Sequence, residues 1–335
     1  MKSTVLPHDP ALPGLAEALD PDAMTRRLAP LASRAADRQP GEGGWRVVEI
    51  DILKHKPGQR CALGYTLDGP GARHRFFAKA YSSQRGKGIE RTMAMIAAAI
   101  PREVLLVPRP AGYLPDLRLL VAEHLKGTLA WFLHEEESEV PAQRAAAAIS
   151  VLHGCDAPLG RRWTAIREAA NTGDWLSGSR AGGRNPSRRA AALLEELQNS
   201  AMLLPEGPER PVHRDFYAEQ VWDCEGRTAL LDLDDAQLGD GALDVGNYLA
   251  HLKLRSLQFP NLARSCERMR PVFLEEYGRK RAGDAGMESF SGRVKFYEAA
   301  TLLRLSGVYG VRDRWAHFLP QALLDSCEAV LDARS

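Results

Sequence analysis

Of the 335 residues only five are cysteine, at positions 61, 155, 224, 266 and 327, and none stands in a C-x-x-C pair. That spacing offers neither a disulfide framework nor a zinc site, so the thiols read as scattered and reduced. A surplus of one charge is missing as well: 44 Lys and Arg against 43 Asp and Glu leave a net +1. The clustered basic surface that nucleic acid requires is absent, and no polyanion partner is expected. No apolar run approaches the roughly 20 residues of a membrane span. The opening MKSTVLPHDPALPGLAEALD breaks with prolines and acids where a signal peptide needs an unbroken apolar stretch. A cytoplasmic protein without membrane contact is therefore expected. Repeats of roughly 20–50 residues are lacking, which excludes solenoids and propellers.

What is present is enough apolar material, 44%, for a full core in two lobes. From Ala11 to about Ala36 apolar residues recur at helical spacing (Leu15, Leu19, Met24, Leu28, Leu31) until QPGEGG interrupts them. From Trp45 the period shortens. WRVVEIDILKHK, CALGYTL and HRFFAKAY, separated by KPGQR and DGPGAR, read as three strands of an antiparallel meander. IERTMAMIAAAI reads as a helix, and VLLVPRPAGYLPDLRLLVAEHL as two more strands about a turn. Beyond it TLAWFLHEEE and AQRAAAAISVLHG read as helices, and helices dominate the rest except near 211–234; AGGRNPS (181–187) and KRAGDAGMES (280–289) read as loops. Strands gathered early and helices late predict an α+β chain. Its parts are a leading helical segment (1–44), an N-terminal lobe (45–122), a connector (123–127) and a C-terminal lobe (128–335).

The chemistry concentrates in VHRDFYAEQVWDCEGRTALLDLDDAQLGDGALDVGNYLAHL, residues 212–252. His213-Arg214-Asp215 is followed five residues after Asp215 by the amide Gln220, and a short hairpin then runs to Leu230-Leu231-Asp232. Phosphoryl transfer needs one carboxylate to orient the attacking hydroxyl and accept its proton, and oxygen ligands to hold a metal on the triphosphate. Asp215 suits the first task and Asp232 with Gln220 the second, because a hairpin between them returns the chain to one place. Magnesium prefers oxygen and takes only one or two protein ligands, so an amide carbonyl and a carboxylate suffice. His213 reads as a packed scaffold residue and Asp240 as a helix cap.

The order H-R-D, four residues, amide, hairpin, two apolar residues, Asp matches the kinase catalytic signature. More narrowly, DLDDAQLGDGALDVG resembles the I-D-F-x-x-A-x-x-G-D-P-x-x-D-L stretch of the aminoglycoside phosphotransferase family, which includes choline, homoserine and sugar kinases. The resemblance covers roughly residues 45–325 in element order. It implies a bilobal protein-kinase-like fold and an ATP- and magnesium-dependent transfer of phosphate to a hydroxyl or amine of a small-molecule acceptor. It also implies that Lys79 in FFAKAY meets the α- and β-phosphates, that Glu90 is its ion-pair partner, that backbone groups of the Glu123-His124-Leu125 connector meet adenine, and that Asp244 braces the catalytic loop. Lys54, Lys56 and Arg60 near the first turn read as solvated charges.

Three departures stand out. Gln220 replaces the usual Asn, the KHKPGQR turn lacks G-x-G-x-x-G, and Gly241 stands where proline is common. They keep open a second reading, a nucleotide-binding protein without turnover. A protein kinase is disfavoured by Tyr217 in place of lysine and by the absence of D-F-G and A-P-E. Residues 127–335 carry only about five net negative charges, weak support for a polycationic acceptor. Arg304, Arg312 and Arg314 beside Tyr309 and Trp315 suit a sugar, a carboxylated metabolite or a phosphorylated one. The sequence carries no signal for an oligomeric state.

Overall fold

The computed structural model describes residues 9–36, 44–130, 138–160, 162–177, 185–312 and 314–333. The chain divides into two compact units, 1–98 with 107–126, and 99–106 with 127–335.

In the first unit, α1 (Leu15–Ala18) and α2 (Pro21–Ala35) precede three strands, β1 (Arg46–Lys56), β2 (Arg60–Gly69) and β3 (Ala72–Tyr81). Then come α3 (Gly86–Ala99), β4 (Pro110–Leu114) and β5 (Leu119–Glu123). All pairings are antiparallel, in the order β1-β2-β3-β5-β4. The expected five strands and one helix are found.

Helix α2 starts where the side chain of Asp20 accepts the Ala23 N–H at 2.6 Å and proline occupies the first turn. Strand period 2 places Cys61, Leu63, Tyr65 and Leu67 of β2 on one face with Ala78 and Ala80 of β3 and Leu119 and Val121 of β5. That face packs on Leu15, Met24, Leu28 and Ala32. The Tyr65 hydroxyl donates to the Ala18 carbonyl at 2.7 Å. The leading helices thus share the core of the sheet rather than standing apart from it.

The second unit opens with β6 (Thr128–Leu129) and α4 (Val140–Gly154), then β7 (Arg162–Trp163), α5 (Ala165–Leu176), α6 (Arg188–Leu203) and β8 (Glu209–Val212). A hairpin follows, β9 (Val221–Cys224) with β10 (Arg227–Leu230), and then β11 (Gln237–Asp240). Four helices end the unit: α7 (Ala242–Gln258), α8 (Ala263–Lys280), α9 (Phe290–Tyr309) and α10 (Leu319–Asp332). Helix α9 is buried around most of its circumference, from Val294 to Tyr309, because α5, α7 and α10 all pack on it.

One reading is corrected here. Thr128 and Leu129, expected to begin a helix, form an edge strand paired with Asp223 and Trp222. An apolar run of this length does not distinguish the two by periodicity, and the distant partner decides. Residues 131–137 of that run and 181–184 of the AGGRNPS segment lie outside the described residues. Two further strands, β7 and β11, complete a small sheet in the order β7-β11-β8, in a region read as mainly helical.

Candidate active site

Strand β8 ends at Val212, and the chain enters the His213-Arg214-Asp215 loop with Arg214 in the left-handed region at φ 70°. A non-glycine residue holds that conformation only where its surroundings impose it. Here the imposing group is Asp244 on the first turn of α7. Its fully buried carboxylate accepts the backbone N–H of His213 and of Arg214, each at 2.7 Å, and stands 2.9 Å from Nε2 of His153. Nδ1 of His153 lies 2.8 Å from the Tyr277 hydroxyl. His153, in the last turn of α4, is therefore part of the brace.

Phe216, next to Asp215, anchors the loop from below. Its ring stacks on Tyr248 at 5.6 Å, Tyr248 on Phe273 at 4.0 Å, and Tyr277 on Phe290 at 5.3 Å. Phe216 thus rests on α7 and α8, and the aromatic run continues through Tyr277 to Phe290 of α9.

After a single 3₁₀ turn over Ala218–Gln220 the chain makes the β9–β10 hairpin. Glu225 (φ 55°) and Gly226 (φ 83°) both have positive φ at its tip, the dihedral signature that suits the twist of a two-residue hairpin. The Asp223 carboxylate accepts the Gly226 N–H at 2.7 Å.

The hairpin delivers Leu231, which holds the site together through its two backbone groups. Its N–H donates to the Gln220 carbonyl at 2.9 Å, and its C=O accepts from Nε2 of His213 at 2.7 Å. Nε2 faces this carbonyl and Nδ1 lies 3.3 Å from the Asp215 N–H, so both ring nitrogens of His213 are engaged by the loop and the hairpin. Fully buried and bonded at both nitrogens, His213 is placed as the packed scaffold residue that the sequence suggested. Asp232 follows at φ 60° and ψ 54° and caps the next 3₁₀ turn, Leu233–Asp235.

Asp215, Gln220 and Asp232 are thereby brought into one locality by short backbone links. Part of the Asp215 surface remains open to solvent, yet protein surrounds it closely. This burial drives its pKa above the usual carboxylate range; the Arg304 guanidinium opposes the rise and the Asp232 charge adds to it. Among the described residues no three His, Cys, Asp or Glu side chains converge as a preformed cation cage. Gln220, buried and bonded through its backbone carbonyl to the residue before Asp232, and Asp232 itself offer an amide and a carboxylate, oxygen donors of the kind that magnesium takes with few protein ligands.

Sequence reasoning left other groups around Asp215 without a place. Arg214 lies over the Trp163 ring at 3.3 Å from the centroid and donates to the Asp235 carbonyl at 3.3 Å. Asn247 on α7 donates to the Arg214 carbonyl at 2.7 Å, and its Oδ1 accepts from Thr301 at 2.6 Å and from Arg304 at 3.1 Å. Its signal was the spacing Asp244-x-x-Asn247, two polar groups on one helical face. Tyr217 stacks on His251 at 4.5 Å. Asp240 accepts the Ala242 N–H at 3.0 Å and pairs with buried Arg293 at 2.7 Å, a structural role.

Lys79, Glu90, Glu123 and Leu125 lie in the first unit. Lys79, 8% exposed, sits on the β3 face opposite the helix-packed one, in register with Ala62 and Leu120. Glu90 is half-buried on α3 and helps to raise the pKa of the Tyr113 phenol, which burial raises most. Glu123 ends β5 and donates its N–H to the Arg109 carbonyl at 2.8 Å; Leu125 follows, half-buried. In the KHKPGQR turn the Gly58 N–H donates to the Asp9 carboxylate at 2.9 Å, so an acid satisfies this backbone donor.

An antiparallel five-stranded unit, with a helical unit whose loop and hairpin are clamped in this way, defines a small-molecule phosphotransferase of the protein-kinase-like class. The chain belongs to the phosphotransferase enzyme family, APH, whose profile matches residues 65–288. Among solved structures it is similar to a choline/ethanolamine kinase family protein from Mesorhizobium loti, with 13% identity over 85% of this chain and 88% of that one, and a TM-score of 0.57. It is also similar to the aminoglycoside phosphotransferase APH(4)-Ia, with 18% identity over 86% and 95% and a TM-score of 0.59. A third similar structure is the macrolide 2'-phosphotransferase MphH from Brachybacterium faecium, with 16% identity over 92% and 99% and a TM-score of 0.53. Comparison with curated proteins finds no match.

Proposed function

We propose that this phosphotransferase takes the γ-phosphoryl group of ATP and transfers it to a hydroxyl, or an amine, of a small-molecule acceptor, with Asp215 as the group that orients the acceptor and receives its proton. The observation that carries the assignment is the double clamp of Leu231, which ties the Asp215 loop and Gln220 to the residue before Asp232. One of the similar structures, an APH(4)-Ia mutant, is a ternary complex with AMP-PNP and hygromycin B, which supports a nucleotide donor and a small-molecule acceptor.

In the reaction the acceptor oxygen attacks the γ-phosphorus in line. The new O–P bond forms as the bond to the β-phosphate oxygen breaks, the acceptor proton passes to Asp215, and ADP leaves. Raised basicity suits Asp215 to this task, since a carboxylate of ordinary pKa is a poor proton acceptor near neutrality. Arg304 opposes that rise, which keeps the carboxylate available in its ionised form. Asp232 and Gln220 would hold magnesium, which when bound neutralises charge on the triphosphate. In the first unit, Lys79 is assigned to the inner phosphates with Glu90 as its partner, and the backbone of Glu123 to Leu125 to adenine.

The test is calorimetric titration with ATP in the presence and absence of magnesium, followed by ADP release with sugars, amino alcohols and aminoglycosides, with Asp232→Ala as control. Magnesium-dependent binding and acceptor-dependent release that vanish in Asp232→Ala bear the assignment out. Binding without release by any acceptor favours a nucleotide-binding protein without turnover, and no binding at all removes the assignment.

A further inference from the structure

Arg304 projects from α9 toward the loop that carries Asp215, with its side chain only 13% exposed. Nη2 donates to Asn247 Oδ1 at 3.1 Å. Nε has no hydrogen-bond partner, and its nearest anion, Glu168, stands 3.7 Å away. The other oxygen of Glu168 already accepts from the Trp163 indole at 2.8 Å. A buried guanidinium held at one corner, with an unsatisfied N–H, is an arrangement that an incoming anion completes.

The surroundings agree in sign. After burial, Arg304 is the strongest influence on Asp215, and it also acts on Arg214 and His251. Arg312, exposed and seated over the Tyr309 ring at 4.5 Å, acts on His251 as well. Burial and these two cations push His251 down to about 3, so it is neutral. It presents a stacked, uncharged ring with Tyr217, two residues past Asp215. Of the anions nearby, Glu168 pairs with Nε only at 3.7 Å and holds Trp163 with its other oxygen, Asp215 is assigned to the acceptor proton, Asp244 holds the loop, and Asp232 is assigned to the metal. Asp235 adds a negative charge near Asp215, on the side where its carbonyl accepts from Arg214.

We propose that the acceptor carries a carboxylate or phosphate group near its reacting hydroxyl, and that Arg304, with Arg312 at the rim, receives that group. The inference rests on Asp215 marking the acceptor side of a phosphotransferase site. It separates this chain from a kinase for polycations, which two arginines at this place would repel.

The test first confirms magnesium-dependent ADP binding by calorimetry, then titrates the ADP- and magnesium-loaded protein with matched pairs: gluconate against sorbitol, glycerate against glycerol, glucose 6-phosphate against glucose, and hygromycin B as the cation. At least one anionic member is expected to bind tenfold or more tighter than its neutral partner, and the pair that responds separates carboxylate from phosphate. That preference is expected to fall tenfold in Arg304→Gln and severalfold in Arg312→Gln, an exposed position that does not threaten the fold, and to survive in part in Arg304→Lys. Neutral or cationic members binding as well as anionic ones, or no anion binding that depends on the arginines, overturns the inference and leaves the phosphotransferase assignment standing. Failure of the wild-type protein to bind ADP with magnesium overturns both.

Discussion

His213 donates its Nε2–H to the carbonyl of Leu231 at 2.7 Å, so the residue two before Asp215 is bonded to the residue before Asp232. The link fixes the spacing of two carboxylates that repel one another. Replacing His213 by Ala leaves the Leu231 carbonyl and the Asp215 N–H without partners in a buried place, a cost of about 1–3 kcal/mol for such a group. Urea unfolding checks the stability. Steady-state kinetics should show kcat falling more than KM for ATP rises, because His213 positions the loop and is assigned no nucleotide contact. An unchanged kcat would show that the loop holds its shape without the imidazole.

Asp215→Asn is expected to lower turnover about 10²–10⁴-fold and to raise stability at neutral pH. The sign follows from the direction of the shift. The folded pKa lies above the unfolded one, so between them the native state binds more protons, and stability declines as pH rises through that window. Above the folded pKa the full cost of burying the ionised carboxylate is present, and Asn removes it. Thermal melts of both proteins at neutral and acidic pH test this: the gap between them should close as pH falls to the ordinary carboxylate range.

The same shift sets an acid limb for catalysis. Transfer requires ionised Asp215, so kcat/KM should fall with decreasing pH from a point above the usual aspartate range. In Arg304→Gln, which loses the opposing charge, the limb should move higher still. A limb that does not move would show that another group controls it.

Asp244→Ala removes the acceptor of two backbone N–H groups and the partner of His153 inside a site closed to water. Breaking such an array costs about 3–5 kcal/mol, while Asp244→Asn, which keeps one acceptor, should cost less. Denaturant midpoints with unchanged m-values give the measurement.

Gly246 on α7 lies where a Cβ would come within 2.6 Å of the Glu298 backbone nitrogen and 2.8 Å of the Tyr297 carbonyl carbon on α9. Gly246→Ala should destabilise by about 1–3 kcal/mol or more through overpacking, and should lower activity as well, because Asn247 next to it supports the Arg214 carbonyl. A variant of wild-type melting temperature would mean that the two helices separate freely.

Much of this was legible in the chain for local reasons. The alternation of Cys61, Leu63, Tyr65 and Leu67 announces a strand with one buried face, and Glu225-Gly226 announces a tight hairpin turn. Because that hairpin is short, the residues before and after it return together, and the Leu231 N–H reaches the Gln220 carbonyl as the sequence order implies. The Thr128–Leu129 strand was misread because its pairing with Asp223 and Trp222 spans more than ninety residues and leaves no local mark.

The sequence by itself determined most element types, the loop–hairpin order and the choice of the three residues assigned to the chemistry, because hydrogen-bonded turns and strand periodicity depend on neighbours a few residues apart. Tertiary structure alone decided which backbone groups Asp244 holds, how both ring nitrogens of His213 are engaged, and that Arg304 from α9 supplies the charge opposing burial at Asp215. Each of these depends on groups distant in the chain meeting in a low-dielectric interior. There the strength of a charge or hydrogen bond is set by what surrounds it, and residue type does not encode that.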